Sequence, residues 1–325
     1  MTDVWLYSLG TALGSDAVEA SALVEEFGPV REDFLDRTGF RRLYRASSKQ
    51  TGLDLAIEAV GDTSWWADSV DGLIYVTSTG NLVAPGNAHL LQSSLSLTSD
   101  MFVFDVNDAC TGFVKSLQLA SSLISTGVAS TILVVLSDTY SKLYDPSNLR
   151  VSPLFSDGAS AVLVSGARID GVPAAVPTRH WQLLSQRFVS EGAKSSDLTI
   201  VRGVEGKPLG ELTMNGAGVL NFVLKHLGSV VSTLVDNAGV SVADVDQWYA
   251  HQGSRAVVSV VEKTVKAEPG SLFRTADYGN TVGSSLPFQL REDSDRAGDA
   301  EVIGLLGFGV GLTMAGMLVR QLPRE

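Results

Sequence analysis

Short apolar runs rich in β-branched residues recur along the chain and alternate with segments of helical apolar spacing. Residues 72–76 read GLIYV and residues 131–136 read TILVVL. Each run has the length and composition of a strand that is buried on both faces. Such strands are typical of parallel sheets covered by helices. The pattern therefore predicts an α/β protein of stacked layers with largely parallel sheets.

The same criteria divide most of the chain into elements. Further strands are predicted at 4–9, 101–106, 247–250, 301–307 and 311–319, with a small-residue strand inside 155–164. Helices are predicted at 18–27, 53–60, 87–97, 110–124, 212–237 and 254–265. The segment 167–210 is rich in Pro, Gly and polar residues, so we predict a connection between two halves, 1–166 and 211–325.

Charge and composition argue against several classes of function. The net charge of −12 disfavours nucleic acid as a main partner. The sequence contains no run of ~18 apolar residues and begins without a basic flank, so we expect neither a membrane helix nor a signal peptide. The single cysteine cannot form an internal disulfide, and no Cys–His spacing indicates a metal site. These features predict a soluble, cytoplasmic protein.

That cysteine, Cys110, lies where a predicted strand turns into a predicted helix. The unpaired amides and the positive dipole end of a helix N-terminus favour a thiolate over a thiol. The position thus indicates a nucleophile, although a free cysteine is more often a small buried hydrophobe.

Three other segments place polar or flexible residues in apolar surroundings. Residues 249–253 deliver His251 from a strand end into a helix, and residues 277–285 hold Asn280 in a glycine-flanked turn. The glycine-rich backbone of 307–311 is suited to aim N–H groups at an oxyanion. Taken singly, such a histidine is more often structural and such an asparagine more often a turn residue.

Together these segments resemble the ketosynthase III group of the thiolase superfamily, whose best-known member is β-ketoacyl-acyl carrier protein synthase III. The resemblance covers nearly the whole chain. It rests on RTGFRR at 37–42, DVNDACTG at 105–112, FSDGA at 155–159, HQ at 251–252 and YGNT at 278–281. These segments match the family's RTGI-x-R, D-x-x-x-A-C-x-G, FGDGA, HQAN and HGNT motifs in order and spacing.

The resemblance implies a thiolase-like fold, in which two similar α/β halves form a five-layered αβαβα core, and a homodimer in which 81–85 reaches the partner's acyl pocket. It also implies a two-step acyl transfer by Cys110, His251 and Asn280. Cys110 would take the acyl group of a coenzyme A thioester, and a malonyl thioester would then lose carbon dioxide and attack it. His251 and Asn280 would donate hydrogen bonds to the enolate, and the N–H groups of Cys110 and Val310 would form the oxyanion hole.

Further roles follow from the same resemblance. No resident cofactor is implied, because coenzyme A thioesters are substrates, and an acyl carrier protein is a further partner. The residues implied in coenzyme A binding are Phe34, which replaces a frequent Trp, together with Arg37, Arg41 and Arg150. Arg255 and Lys263 are implied in carrier docking, although the family's HQAN is here HQGS. Val310 replaces a glycine, and a β-branched residue resists unusual φ values.

Three functions are compatible with these residues. A condensing enzyme of secondary metabolism or fatty-acid-like biosynthesis uses both half-reactions. An acyltransferase would keep the acylation of Cys110 and pass the acyl group to an alcohol or amine. A non-catalytic carrier-binding subunit would carry out neither half-reaction. The side chains expected to set the depth of the acyl pocket are Leu154, Phe155, Leu209 and Met214.

Overall fold

The structure, a computed structural model, describes residues 3–27, 33–206, 208–293 and 301–323. Within these ranges the strands are β1 (Asp3–Leu13), β2 (Asp16–Glu19), β3 (Arg42–Arg45), β4 (Gly72–Val76), β5 (Phe102–Val106), β6 (Thr131–Asp138), β7 (Gly158–Ser165), β8 (Thr178–Ser190), β9 (Leu198–Val201), β10 (Glu211–Met214), β11 (Gln247–Ala250), β12 (Val302–Gly309) and β13 (Thr313–Gln321). The helices are α1 (Ala20–Phe27), α2 (Phe34–Thr38), α3 (Gly52–Val60), α4 (Asn87–Ser94), α5 (Gly112–Ser125), α6 (Gly216–Ala238), α7 (Arg255–Val265) and α8 (Ser285–Glu292).

Nine of these strands hydrogen-bond in the order β11-β12-β13-β8-β1-β7-β6-β4-β5. The pairs β4–β5, β4–β6 and β11–β12 are parallel, and the other five pairs are antiparallel. The prediction of largely parallel sheets is therefore wrong. Antiparallel strands such as β7 and β12 are buried along their whole length, so their sequences carry the same apolar signature as parallel strands.

The strand order contains the same unit twice. In the first half, β1 pairs antiparallel with β7, β7 antiparallel with β6, and β6 parallel with β4. In the second half, β8, β13, β12 and β11 repeat these pairings in the same sequence and sense. The antiparallel pairing of β1 with β8 joins the two units. The helices follow the repeat, because α3, α4 and α5 have their counterparts in α6, α7 and α8.

This repeat produces layers of helix and sheet. α3 packs on β1 and β7 outside the first unit, and α6 packs on β8 and β13 outside the second. α5 contacts β4, β6 and β7 of the first unit and β12 and β13 of the second, so it lies between the two units. α8 likewise contacts β1, β7 and β11. The helices α5 and α8 thus form the middle layer, as the predicted five-layered αβαβα core requires.

The segment 167–210 is more than the predicted connection. It contains β8, a 13-residue strand in the centre of the sheet, and β9, which pairs with β10 in a separate hairpin. Between Thr178 and Leu183, buried residues of β8 alternate with partly exposed ones, which is the period-two pattern of a half-buried strand. The sequence shows this alternation only at Trp181 and Leu183, because the third buried position is occupied by Arg179. The division of the chain into halves at 166 and 211 stays a prediction.

Helix α6 is, among the described helices, the one whose length and hydropathy would allow it to cross a membrane. Its buried residues, which include Phe222, Val223 and Leu227, form a face that packs on β8 and β13. This face is used inside the protein, as in the core helix of a globular domain. The predicted helix at 212–237 begins too early, because residues 212–214 belong to β10 and Asn215 caps α6 by accepting a hydrogen bond from the Gly218 N–H at 3.2 Å.

Candidate active site

Cys110 lies in a short 3-10 turn, Ala109–Thr111, which connects the end of β5 to α5 in the middle layer. Ala109 adopts a left-handed φ of 39°, so the chain turns sharply just before the cysteine. The Cys110 side chain is buried. The predicted position between a strand and a helix is therefore correct, but α5 begins two residues after Cys110.

Two glycines of the 307–311 segment allow close approach to this turn. A Cβ on Gly309 would lie 2.9 Å from Cys110 Sγ and 2.8 Å from its Cβ. A Cβ on Gly307 would lie 2.9 Å from the Cys110 carbonyl oxygen. Any larger residue at 307 or 309 would displace Cys110 or the strand. These two glycines are thus required by packing against Cys110.

Val310 lies inside the glycine-rich segment 307–311, and its backbone N–H is available as a hydrogen-bond donor. Its N–H and that of Cys110 both act to lower the pKa of the Cys110 thiol, so both lie close to Sγ. Val310 does not adopt a positive φ, and the positive φ of 138° falls on Gly311. The β-branched side chain therefore imposes no backbone strain, and the geometry is compatible with an oxyanion hole.

The thiol of Cys110 is not activated in the way that its position suggested. Burial, followed by the negative charges of Asp138 and Asp108, raises the pKa of Cys110 above its ordinary value. The N–H groups of Cys110 and Val310 act in the opposite direction without reversing the shift. The expectation of a resting thiolate is therefore wrong, because desolvation of the charged form outweighs the donors of the turn.

His251 follows β11 directly and is buried. Its Nδ1 lies 2.8 Å from Ser285 Oγ on α8, and its ring meets the ring of Phe308 edge to face at 5.5 Å. Burial lowers the pKa of His251 to about 3, against a smaller opposing effect of a backbone hydrogen bond with Val282. The imidazole is thus neutral at physiological pH and serves as a neutral hydrogen-bonding group.

Asn280 is held in the turn before α8 by three hydrogen bonds. Its backbone N–H donates to the Leu154 carbonyl at 3.0 Å, and its carbonyl accepts from the Ser156 N–H at 2.9 Å. Its side-chain Oδ1 accepts from the Val282 N–H at 2.9 Å, and this contact fixes which side of the amide is oxygen. Val282 reaches this position with a φ of 55°, which is strained for a β-branched residue. The Nδ2 of Asn280 is therefore left as the donor.

Residues 155–159 hold the turn of Asn280 in place, and their one charged residue, Asp157, does not line the cavity. Ser156 Oγ accepts from the Tyr44 N–H at 2.9 Å. Asp157 is buried, and it accepts hydrogen bonds from the Ala46 N–H at 2.7 Å and from the N–H and hydroxyl of Ser141. These bonds tie β3 and the loop after β6 to the segment that holds Asn280.

Cys110, His251 and Asn280 line one cavity of about 320 Å³. Its walls are mainly apolar, and the side chains that form them include Leu154, Phe155, Leu198, Met214, Val219, Leu220, Val257 and Phe308. Of the four side chains expected to set the pocket depth, Leu209 is not part of this lining. Leu198 and Met214 come from the β9–β10 hairpin, which the sequence did not predict.

Three of the four residues expected to contact coenzyme A lie at the same cavity. Phe34 begins α2, and Arg37 and Arg150 are exposed side chains at its outer end. Arg41 is not part of this lining, because its guanidinium makes a bidentate pair with Asp277, with N–O distances of 2.8 and 2.6 Å. Its expected role as a phosphate contact is therefore not supported by its position.

The two residues expected to dock a carrier lie on α7, next to the cavity. Arg255 and Lys263 are both exposed. The Arg255 guanidinium lies 5.1 Å from the centre of the Phe273 ring, and Gly39 approaches the Arg255 side chain so closely that a Cβ there would lie 2.7 Å from it. The segment after α2 and the start of α7 thus form one continuous surface.

Sequence reasoning missed Ser285, which contacts His251, because α8 itself was not predicted. Its sequence, SLPFQLRE, contains Pro287 and has little helical apolar periodicity. Proline is nevertheless tolerated in the first turn of a helix, where its missing N–H has no partner to lose. The proline near the start was therefore a usable signal.

Comparison with known proteins places the chain in a family. The model of 3-oxoacyl-[acyl-carrier-protein] synthase III matches residues 104–176, and its C-terminal model matches 235–321. A β-ketoacyl-[acyl-carrier-protein] synthase III of Cereibacter sphaeroides is 32% identical over 301 residues, which cover 90% of each chain. The chain belongs to the 3-oxoacyl-[acyl-carrier-protein] synthase III family.

Solved structures of the family have the same fold. A 3-oxoacyl-(acyl-carrier-protein) synthase III superposes with a TM-score of 0.84 at 29% identity, covering 97% of this chain and 99% of the other. The enzyme of Pseudomonas aeruginosa superposes with a TM-score of 0.82 at 26% identity, covering 98% of both chains. The predicted thiolase-like fold and the resemblance to the ketosynthase III group are thus confirmed.

Proposed function

We propose that the protein is a condensing acyltransferase, which joins an acyl group to a malonyl thioester with loss of carbon dioxide. The observation that carries the proposal is the set of groups at the inner end of the cavity: a thiol, a neutral imidazole and an amide donor. None of the three adds negative charge where an enolate forms. Family membership supports a role in fatty-acid-like or polyketide biosynthesis.

In the first half-reaction, Cys110 Sγ attacks the carbonyl of an acyl thioester. The S–H proton leaves with the departing thiol, and the acyl group remains as a thioester on Cys110. The N–H groups of Cys110 and Val310 already converge at Sγ, so they are well placed for the oxyanion of the tetrahedral intermediate. Because the resting nucleophile is a thiol, these donors act as charge develops on the substrate.

In the second half-reaction, a malonyl thioester binds beside the acyl-enzyme. Its C–COO⁻ bond breaks, carbon dioxide leaves, and the electron pair passes onto the thioester oxygen as an enolate. The Asn280 Nδ2–H and an N–H of His251 stabilise that oxygen. The enolate carbon then attacks the acyl carbonyl, and Cys110 leaves with the electron pair of the broken C–S bond and takes up one proton from solvent.

The proposal is tested by intact-protein mass spectrometry, for which one cysteine per chain gives a simple readout. Incubation with a panel of acyl-coenzyme A thioesters should add one acyl mass, and Cys110→Ala should abolish the gain. Addition of malonyl-coenzyme A or a malonyl carrier protein should then discharge the acyl group with release of carbon dioxide and a β-ketoacyl product. The variants His251→Ala and Asn280→Ala should load normally but decarboxylate about 10²- to 10³-fold more slowly.

Other outcomes would identify the other functions. An acyl mass that persists with every malonyl donor and is discharged by an alcohol or amine would show an acyltransferase without condensation. Acylation of Cys110→Ala at the wild-type rate would refute the assignment of the nucleophile. No acylation by any donor would refute the enzymatic proposal and favour a carrier-binding subunit.

The proposal includes acyl-coenzyme A as the first substrate, with Phe34, Arg37 and Arg150 as its contacts. Phe34 offers a ring for stacking on the adenine, and the two arginines offer exposed charge for the phosphates. An acyl carrier protein would dock on α7 through Arg255 and Lys263, which are exposed cations on a chain of net charge −12. A charge-reversing variant such as Lys263→Glu should then raise KM for the malonyl carrier protein and leave KM for malonyl-coenzyme A unchanged.

A homodimer is also part of the proposal. β5 is an edge strand of the nine-stranded sheet, and its residue Phe102 is 46% exposed. An open edge strand with an exposed aromatic ring is a site of association unless another chain covers it. Phe102→Lys should convert a dimer into a monomer in light scattering, whereas Leu224→Lys, at an apolar residue on α6 that is 56% exposed, should not. A dimer that survives Phe102→Lys would refute this interface.

We further propose a cytoplasmic location, without nucleic acid or membrane as a partner. The acidic net charge and the packing of α6 inside the protein support it. Fractionation of the native host should place the protein in the soluble cytoplasmic fraction.

A further inference from the structure

Two polar side chains of α8 face the end of β11. Ser285 and Gln289 are one helical turn apart, and both are buried. Ser285 Oγ lies 2.8 Å from His251 Nδ1, and Gln289 Nε2 donates to the Ala250 carbonyl at 3.0 Å and to the Ser285 carbonyl at 2.7 Å. The first turn of α8 is therefore fixed to His251 and to the residue before it.

Gln252, directly after His251, completes this connection. Its Nε2 donates to the carbonyls of Ala250 and Leu272 at 2.8 and 2.9 Å and lies 3.3 Å from Gln289 Oε1. Its Oε1 accepts from the Arg274 N–H at 3.0 Å. Both neighbours of His251 in the chain are thus held by buried amides, so the imidazole has a fixed position against Ser285.

We propose that Ser285 is a positioning residue that selects the tautomer of His251. Among the residues that the structure describes, the hydrogen-bond partner of Ser285 Oγ is His251 Nδ1. A buried hydroxyl needs an acceptor for its proton, and Nδ1 supplies one only when its own proton is absent. The neutral ring then carries its proton on Nε2, which lies toward Gly253 and the cavity.

The tautomer matters for one half-reaction only. With Nε2–H, His251 donates to the enolate oxygen that decarboxylation creates. In the opposite tautomer Nδ1–H would donate to Ser285 Oγ, and Nε2 would present a lone pair that repels the enolate. Acyl loading on Cys110 needs no donor from His251. This inference rests on the proposed function, because it assigns Ser285 to the second half-reaction.

The test compares two adjacent buried serines. Ser285→Ala removes the hydroxyl beside His251, whereas Ser284→Ala removes a hydroxyl that donates to the Leu136 carbonyl at 3.1 Å. Both variants should load an acyl group from acyl-coenzyme A at the wild-type rate. Ser285→Ala should decarboxylate malonyl-coenzyme A about 10- to 100-fold more slowly, Ser284→Ala should match the wild type, and Ser285→Thr should recover most of the rate.

A second readout does not depend on activity. In ¹⁵N-labelled wild-type protein, the His251 signal, assigned by its loss in His251→Gln, should show a neutral ring protonated at Nε2. Ser285→Ala should shift that signal toward the Nδ1–H form. A wild-type ring protonated at Nδ1, or equal loss of decarboxylation in the two serine variants, would overturn the inference. If the wild type releases no carbon dioxide the proposed function fails, while the NMR experiment still decides the role of Ser285.

Discussion

Replacing Gly309 by alanine should leave the protein folded but slow the acylation of Cys110. The new methyl group would lie 2.8 Å from Cys110 Cβ and 2.9 Å from Sγ, whereas carbon atoms in contact are about 3.5–4.0 Å apart. The side chain or the strand must therefore move by most of an ångström. Overpacking of this kind costs about 1–3 kcal/mol, which leaves a protein of ordinary stability folded.

The rate of acyl loading should fall further than this stability cost implies. Sγ would be displaced from the N–H groups of Cys110 and Val310 that converge on it. Loss of one such donor in the transition state typically costs about 10²–10³-fold in rate. The assay follows the acyl mass on Cys110 with time after mixing with acyl-coenzyme A, beside a urea titration that measures the free energy of unfolding.

Gly253→Ala is the matched control. Gly253 lines the same cavity and, like Gly309, has no positive φ, but a Cβ there would meet its nearest atoms at 3.7–3.8 Å. We expect wild-type loading and unchanged or slightly higher stability. Loading of Gly309→Ala at the wild-type rate would refute the packing argument, as would an equal loss in both variants.

Thiol titration, ligand affinity and pH-dependent stability give three further tests. Since burial raises the pKa of Cys110, alkylation by iodoacetamide should be slow at neutral pH and should still accelerate above about pH 9, and a plateau below about pH 8 would contradict this. Arg150→Ala should raise KM for acyl-coenzyme A about tenfold, because Arg150 lines the cavity. Arg41→Ala should leave this KM unchanged, because the Arg41 guanidinium is paired with Asp277. Equal effects of the two variants on KM would contradict the placement of both arginines. Burial raises the pKa of Asp138 to about 7, so the neutral form stabilises the folded state at low pH and that contribution is lost as the pH rises from about 4 to about 7. The unfolding free energy of wild type relative to Asp138→Asn should therefore fall across this range by up to about 1.4 kcal/mol per pH unit, and a constant difference would refute the assignment.

The elements with strong periodicity were predictable from the sequence. The apolar runs at 72–76 and 131–136 are strands β4 and β6, and the predicted helix at 53–60 is α3 with one residue added. These segments are buried on both faces or have a clear apolar stripe, so local pattern and tertiary environment agree.

The elements that were missed have weak local signals. The hairpin β9–β10 has strands of four residues, and α8 has a proline in its first turn. Their conformations depend on contacts with distant parts of the chain, such as the cavity that Leu198 helps to line. Short elements of this kind are set by tertiary packing and carry little propensity of their own.

The site divides in the same way. That Cys110, His251 and Asn280 share one cavity could be inferred, because their motifs combine a reactive side chain with glycines or small residues in a fixed order. The position of Arg41 could not be inferred, because its pairing with Asp277 joins residues 236 positions apart. The pKa of Cys110 was also misjudged, since the sequence shows the turn but not the depth of burial around it.

The repeated unit of the fold divides the chemistry between its two copies. Ala109 and Val282, three residues before the first residues of α5 and α8, both adopt left-handed backbones. The first copy carries Cys110 on this turn, and the second carries Asn280 next to it and brings α8 against His251. The proposed acyl capture also draws on the second copy, because Gly309 packs on Cys110 and the Val310 N–H lies near it. We therefore expect mutations confined to the turn before α8 to leave a protein that still captures acyl groups but no longer extends them, whereas mutations in 307–311 of the same copy would impair capture as well.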